Sequence, residues 1–332
     1  MKRPWLAPLV PLYAAGHAWR DIRLKRGWER TRRLRWPVLS VGNLSTGGLG
    51  KTPFVIALAR LLSTKGFEVD VLSRGYGRQG HAPARVRLGG TAEDFGDEPL
   101  LIALEAGVPV YVAPQRYDAG LMAEAHHSDE YAQGLHLLDD GFQHRGLARD
   151  IDVLLLNLED WEDSLLPAGN LREPLSAIRR ASVVAIPANE PELEDELRAW
   201  GWHGPVWRFH RRMETPQVAG PVAAFCGIAR PEQFFAGLQA AGLFLATRVA
   251  FPDHHRYTAR DIKQLLSSAR ADGAKVLITT QKDHTRLGRL VAMIPREMPL
   301  KCARLRIEID QESTILEWLQ TRLAQSRVHA SL

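Results

Sequence analysis

From about residue 38 the apolar positions fall into two alternating rhythms. Residues 135–138, 151–156, 183–186 and 38–41 are short, mostly apolar runs, with His136, Asp152 and Ser40 as their only polar members. Runs of that length predict strands buried on both faces. Residues 67–73 alternate apolar with polar, and 108–113 add a further short strand. Between them apolar residues recur three and four apart. Phe54, Ala57, Leu58, Leu61 and Leu62 make one helical stripe, which Lys65-Gly66 ends. Residues 96–106 and 117–126 predict helices, and 79–92, rich in Gly, Pro and Arg, an exposed loop or hairpin. Strands alternating with helices imply a parallel sheet covered on both faces. The pattern loosens over 206–221, which reads as a ribbon or linker. It resumes with strands at 222–226, 275–280 and 305–309 and helices at 231–242 and 258–271. The expectation is an α/β chain with a mostly parallel P-loop lobe at 37–212 and a smaller α/β lobe at 213–332. A segment of different character, 1–36, precedes them.

The stretch from Val41 to Thr52, V-G-N-L-S-T-G-G-L-G-K-T, lies between the first strand and a helix expected to open at Pro53. Proline suits a first helical position because its missing N–H has no partner to lose there. Gly47, Gly48 and Gly50 let backbone N–H groups turn inward around phosphate oxygens. The predicted cradle is Ser45, Thr46, Gly47, Gly48, Leu49, Gly50, Lys51 and Thr52, with Ser45 where the usual pattern has its first glycine. Lys51 reaches the terminal phosphates and the Thr52 hydroxyl binds Mg²⁺. The following helix adds the positive end of its dipole. On a parallel sheet such a ligand gathers at the strand carboxyl ends, where Arg74, Asp139 and Asn157 also emerge.

Asp139 and Asp140 close the strand at 135–138. A carboxylate there can hold Mg²⁺ directly or through water, and a turn capped by acids is the structural alternative. In G-D-E-P at 96–99, residue chemistry alone favours Asp97 as an N-cap over a general base. F-P-D-H-H-R-Y at 251–257 gathers an acid, two imidazoles and a phenol. A proton relay and a solvated polar loop suit it equally, and two adjacent histidines are a weak metal-ligand set. Arg172-Glu173 and the T-T-Q-K-D run at 279–283 read, in isolation, as surface ion pairs.

Composition changes the picture at one end. The 332 residues are 45% hydrophobic and 24% charged, as in a folded protein of two ordinary domains. Cys226 and Cys302 lie far apart, which argues against a disulfide framework or zinc site. The net charge of +5 is uneven: residues 1–36 hold ten Lys or Arg against two acids, a net of +8, which leaves −3 for the rest. Trp5, Trp19, Trp28 and Trp36 lie there too. Pro8 and Pro11 interrupt the apolar run at 6–16, which speaks against a secretory signal. The run also falls short of the ~20 residues that span a bilayer. Leu12, Ala15, Trp19 and Ile22 share one helical face, with Arg20, Arg23 and Lys25 on others. An interfacial helix on anionic lipid is favoured. A packed first helix with a solvated basic face and a nucleic-acid arm are the other readings.

Together the motifs resemble the tetraacyldisaccharide 4′-kinase family of lipid A assembly. They are the loop at 41–52, S-R-G-Y-G-R at 73–78, G-D-E-P at 96–99, D-D-G-F-Q-H at 139–144, G-N-L-R-E-P at 169–174 and F-P-D-H-H-x-Y at 251–257. T-Q-K-D-H at 280–284 departs from the family's more frequent T-E-K-D-A. The resemblance implies an ATP- and Mg²⁺-dependent kinase, peripheral or monotopic at the cytoplasmic face of the bacterial inner membrane. It would phosphorylate the 4′-hydroxyl of a membrane-anchored tetraacyl glucosamine disaccharide 1-phosphate, in a cleft between two α/β lobes joined by a β-ribbon. By that resemblance Asp97 becomes the base, and His254, preferred over His255, holds or tunes it. Gln143 and Arg172 orient phosphates or water. Asp139, Asp140 or Glu173 shares the Mg²⁺ with Thr52, and Tyr76 and Arg116 contact the disaccharide or its 1-phosphate. Neither nucleic acid nor an obligate protein partner is expected. The competing expectation is a P-loop nucleotide switch or metal chaperone docked at a membrane, with His254 and His255 handling metal.

Overall fold

The strand that leads into the glycine-rich loop lies in the middle of a wide sheet. The computed structural model describes residues 3–28, 31–127 and 134–330. Among them the strands are β1 (Val38–Asn43), β2 (Glu68–Ser73), β3 (Ala84–Arg85), β4 (Val110–Val112), β5 (Gly134–Asp139), β6 (Ile151–Leu155), β7 (Val183–Pro187), β8 (Val206–Glu214), β9 (Val222–Cys226), β10 (Leu245–Ala250), β11 (Val276–Thr280) and β12 (Leu300–Ile309). The α-helices are α1 (Val10–Lys25), α2 (Lys51–Thr64), α3 (Ala92–Phe95), α4 (Asp97–Ala106), α5 (Arg116–His126), α6 (Leu158–Trp161), α7 (Glu192–Ala199), α8 (Pro231–Ala240), α9 (Ala259–Ala271), α10 (Gln281–Leu287) and α11 (Glu312–Ala330). The strand order is β10-β9-β11-β12-β8-β7-β6-β1-β5-β2-β4-β3.

β1 pairs in parallel with β5 on one side and β6 on the other, with Val41 opposite Asp139. The phosphate loop and the paired acids therefore leave the same carboxyl ends of the strands. All six residues of β1 are buried, as expected of a parallel strand covered on both faces.

Two long strands join the halves of the sheet. Residues 206–209 of β8 pair in parallel with β7, and residues 209–214 pair antiparallel with 304–309 of β12. Residues 300–303 of β12 pair in parallel with β11. The region expected to be a ribbon or linker is thus one continuous strand as far as Glu214, paired with the other arm of the ribbon. The expected segment 213–332 does not stay together. Ile307 and Ile309, with Ile315, Leu316, Leu319 and Leu323 of α11, share one core with Phe54 and Phe209. The chain therefore returns to the first lobe.

α2 begins two residues earlier than predicted. Gly50 is its N-cap, with a left-handed φ of 91° that favours glycine. Pro53 is the third helical residue, still in the turn whose N–H groups lack intrahelical partners. Val55, Ile56 and Ala59 are buried besides Phe54, Leu58, Leu61 and Leu62 of the predicted stripe, while Ala57 is half-buried, because α2 packs on the sheet, β12 included, and on α4. At the other end, α1 exposes the face expected to be interfacial: Leu12 is 75%, Trp19 54% and Ile22 41% exposed, and Trp5 before it 75%. The side chain of Lys25 lies outside the described residues. Among the described residues no helix is long and apolar enough to cross a membrane.

Candidate active site

Asn43, the last residue of β1, organises the loop that follows it. Its Oδ1 accepts hydrogen bonds from Lys51 Nζ (2.8 Å) and Arg172 Nη2 (2.7 Å), and its Nδ2 donates to Ser45 Oγ (3.0 Å). One buried amide so fixes both the loop's lysine and an arginine from 129 residues away. Lys51 Nζ also stands 3.5 Å from Asp140 Oδ1. The N–H groups that open α2 point out of the same loop, so backbone, dipole and ammonium converge on one anion site.

Asp139 and Asp140 have different surroundings. Arg172 forks onto both oxygens of Asp140, at 3.0 and 3.2 Å. Burial alone would raise the Asp140 carboxyl, but Lys51 and Arg172 hold it well below the usual carboxylate range. Asp139 accepts from Ser73 Oγ at 3.3 Å. Burial, with Glu98 and Asp140 nearby, pushes its carboxyl up to about 7. Among the described residues no group of three or more His, Cys, Asp or Glu side chains converges to hold a metal ion. Mg²⁺ fits such a site, because it takes one or two carboxylates and completes its shell with water and substrate phosphates. A cation beside Asp139 would also relieve the crowding of negative charge there.

Two expected members of this group stand apart from the cleft wall. Glu173 pairs with Arg180 at 2.5 Å, is buried, and does not line the cleft. The Gln143 side-chain amide donates to the backbone carbonyl of Asn43 at 2.8 Å, and the Gln143 backbone carbonyl accepts from Arg20 Nη2 at 3.0 Å. It props the end of β1 and does not line the cleft.

On the same lobe as the phosphate loop, Asp97 is the first residue of α4. Gly96 occupies the cap position with φ 90°, and a Cβ there would stand 2.9 Å from the carbonyl oxygen of Tyr76. The N-cap reading of Asp97 therefore fails, and its side chain is free to face the second lobe. There Arg286 reaches Asp97 Oδ2 through Nε (2.7 Å) and Nη2 (2.6 Å), His254 Nδ1 stands 3.2 Å away and Lys282 Nζ 4.0 Å. These contacts, led by the His254 hydrogen bond, outweigh burial and keep the carboxyl well below its usual range. His254 has a φ of 57° and stacks edge-on to Tyr76 at 5.3 Å. His255 turns elsewhere: it bonds Asp261 at 3.1 Å and stacks on Phe251. The adjacent histidines thus serve different partners.

The 279–283 run is no surface ion pair. Lys282 Nζ bonds Glu98 at 2.7 Å, and Asp283, fully buried, accepts from Gly227 N, Tyr257 Oη and Arg286. Asn43, Glu98, Lys282 and Arg286 are the site residues that sequence reasoning missed. Asn43 stood inside the quoted loop motif, and Glu98 and Lys282 stood inside theirs. Arg286 lay outside every motif.

Lys51, Asp139, Asp140 and Arg172, with Glu98, His254 and Lys282, border one cleft of about 680 Å³ between the lobes. Eight lysines and arginines line it against four carboxylates. That excess of positive charge suits a polyphosphate. Tyr76 and Arg116 border it too. Arg116 opens α5 almost fully buried, and its guanidinium is lowered by burial although Asp140 and Asp139 oppose this.

A family model described as tetraacyldisaccharide-1-P 4′-kinase matches residues 2–324. A tetraacyldisaccharide 4′-kinase of Koribacter versatilis (strain Ellin345) is 42% identical over 321 residues, spanning 93% of this chain and 96% of its own. Another, from Syntrophobacter fumaroxidans (strain DSM 10017 / MPOB), is 43% identical over 302 residues, spanning 83% and 77%. The crystal structure of the "apo" form of LpxK from Aquifex aeolicus in complex with ATP aligns with a TM-score of 0.74 at 31% identity, over 96% of this chain and 98% of that one.

Proposed function

The chain belongs to the tetraacyldisaccharide 4′-kinase family, and on that premise we propose how its cleft performs an ATP-dependent lipid A 4′-phosphorylation. Bound ATP with Mg²⁺ supplies the transferable γ-phosphoryl group, and the protein's task is to position reactants and neutralise charge. The loop from Ser45 to Thr52 cradles the phosphates. Lys51 and Arg172 neutralise their oxygens. Thr52 with Asp139 and Asp140 would hold the cation. Asp97 orients the 4′-hydroxyl and accepts its proton. The contacts of Arg286, His254 and Lys282 all fall on Oδ2, so Oδ1 is the oxygen offered to the hydroxyl. A carboxylate held this firmly ionised is a weak base. The loose transition state of phosphoryl transfer tolerates that, because the proton can leave late. His254 positions Asp97, and Tyr76 and Arg116 receive the disaccharide 1-phosphate.

The single observation that carries this reading is the pairing, across one cleft, of the Lys51–Asp140–Arg172 set with the Asp97–His254 pair. The separate engagements of His254 and His255 weigh against the metal-chaperone alternative. We also place the reaction at the cytoplasmic face of the inner membrane. In support, Tyr13 Oη of α1 donates to the Arg172 carbonyl at 3.1 Å, and Asp21 pairs with Arg145. The apolar face of α1 is thereby anchored beside the loops of the cleft. Incubation with γ-labelled ATP, Mg²⁺ and the tetraacyl disaccharide 1-phosphate in detergent should move label into the lipid. ATP hydrolysis with no labelled lipid would favour the switch reading.

A further inference from the structure

The second lobe also brings a cation to the phosphate loop. Arg230 immediately precedes α8, and its guanidinium lies against Gly47: a Cβ built on that glycine would stand 3.0 Å from Arg230 Nη2 and 3.8 Å from Cζ. Ala229 approaches Gly48 in the same way, at 4.0 Å. Arg230 Nη1 is 2.7 Å from Oε2 of Glu159, which sits in α6 at the carboxyl end of β6 in the first lobe. The arginine side chain is 20% exposed and the glutamate 55%. Arg230 borders the cleft shared by Lys51, Asp139, Asp140 and Arg172. Arg211 of β8 borders it as well, and burial and the charge of Arg230 lower its guanidinium. The largely covered Arg230 and the ribbon's solvated Arg211 thus both border the cleft beside the loop, and the partner of Arg230 is a largely solvated carboxylate.

We propose that Arg230 contacts the terminal phosphate of the bound triphosphate, and that Glu159 holds its guanidinium until the phosphate takes it. The proposal rests on the ATP-dependent kinase reading. An ion pair with an exposed glutamate contributes little, because water screens it. A terminal phosphate in the covered part of the cleft offers more charge and a better match to the planar guanidinium fork. The exchange is therefore downhill, and it moves the guanidinium without moving the lobe, which already lies against the loop. It places a positive charge beside the group being transferred, as arginines supplied in cis do in other phosphoryl-transfer sites. Gly47 is part of the device, since any side chain there would meet the guanidinium.

The test uses the full chain and fluorescent N-methylanthraniloyl ATP and ADP with Mg²⁺, titrated against the wild type, Arg230→Ala and Glu159→Gln. Loss of a charge-assisted phosphate contact should weaken ATP about tenfold in Arg230→Ala and leave ADP within about twofold. Glu159→Gln, which removes the competitor and keeps the side chain's shape, should tighten ATP about threefold. Equal weakening of ATP and ADP in Arg230→Ala, no weakening of either, or no tightening in Glu159→Gln would overturn the proposal and leave Arg230 an interlobe tether. If Arg230→Ala fails to fold, Glu159→Gln decides alone. The kinase reading fails separately: it falls if the wild type labels no lipid, whatever the nucleotide titrations give.

Discussion

Asp97 takes its properties from neighbours that sequence distance hides. Arg286, 189 residues away, grips it from one side while His254 reaches it from the 251–257 loop. His254→Ala should lower kcat for lipid phosphorylation about tenfold to a hundredfold, within the range for a positioned proton-transfer partner, and change ATP affinity little. Lys51→Ala should weaken ATP binding as well, because Lys51 faces the phosphates. Comparing kcat with the nucleotide dissociation constant for the two variants checks both statements. The sequence showed the chemistry of 97, 139–140 and 254 as motifs, because each is a compact run at a strand or helix end. It hid the work of Glu98, Lys282 and Arg286, because their partners come from the opposite lobe. It also left Asp97 open between cap and base. Only the close approach of Gly96 to the backbone of Tyr76 shows that glycine takes the cap.

Among the elements, β2, β5 and α5 share a buried polar cluster remote from the cleft loops. His136 Nδ1 stands 2.7 Å from Asp70, its Nε2 3.6 Å from Glu124, and His127 pairs with both Glu68 and Asp70. Trp36 packs on both imidazoles, at 4.4 and 5.3 Å. Burial opposes the charge on His136, but Asp70 and Glu124 outweigh it and push the imidazole up to about 9. The folded value lies above the ordinary one of about 6.5, so the stabilisation is full below that pH and is lost as pH rises toward about 9. Thermal melts should show stability falling across that window, by up to about 1.4 kcal/mol per pH unit. The fall should be absent in His136→Gln, and a wild-type melting temperature flat from pH 6.5 to 9 would contradict the assignment. The central parallel strands were legible because they are apolar on both faces. β8 was not, because residues 210–212 are His-Arg-Arg, solvated in the ribbon and without the apolar alternation that marks a half-buried strand. α11 escaped for a different reason. Its apolar residues pack against a core assembled, apart from Ile307 and Ile309, from residues more than a hundred positions earlier.

At the scale of the molecule, an antiparallel ribbon joins two α/β lobes, and charge pairs close the gap between them. Lys282–Glu98, Arg286–Asp97 and Arg230–Glu159 all cross it. Tyr13 ties α1 to the carbonyl of Arg172, a residue that borders the cleft. Replacing Trp5, Leu12 and Trp19 with Ser should weaken co-sedimentation with anionic vesicles about tenfold or more and leave ATP binding unchanged. Unchanged co-sedimentation would sink the interfacial reading. The central claim is that the cleft moves the γ-phosphoryl group to a lipid hydroxyl with Asp97 as acceptor of its proton. The most direct measurement is phosphorus NMR of the lipid product after reaction with ATP and Mg²⁺, for the wild type and Asp97→Asn, with ATP affinity measured alongside. A new phosphomonoester on O4′ is expected from the wild type. The variant should form it about a hundredfold or more slowly while binding ATP normally. A wild-type product phosphorylated elsewhere, or an Asp97→Asn enzyme as fast as the wild type, would contradict the account.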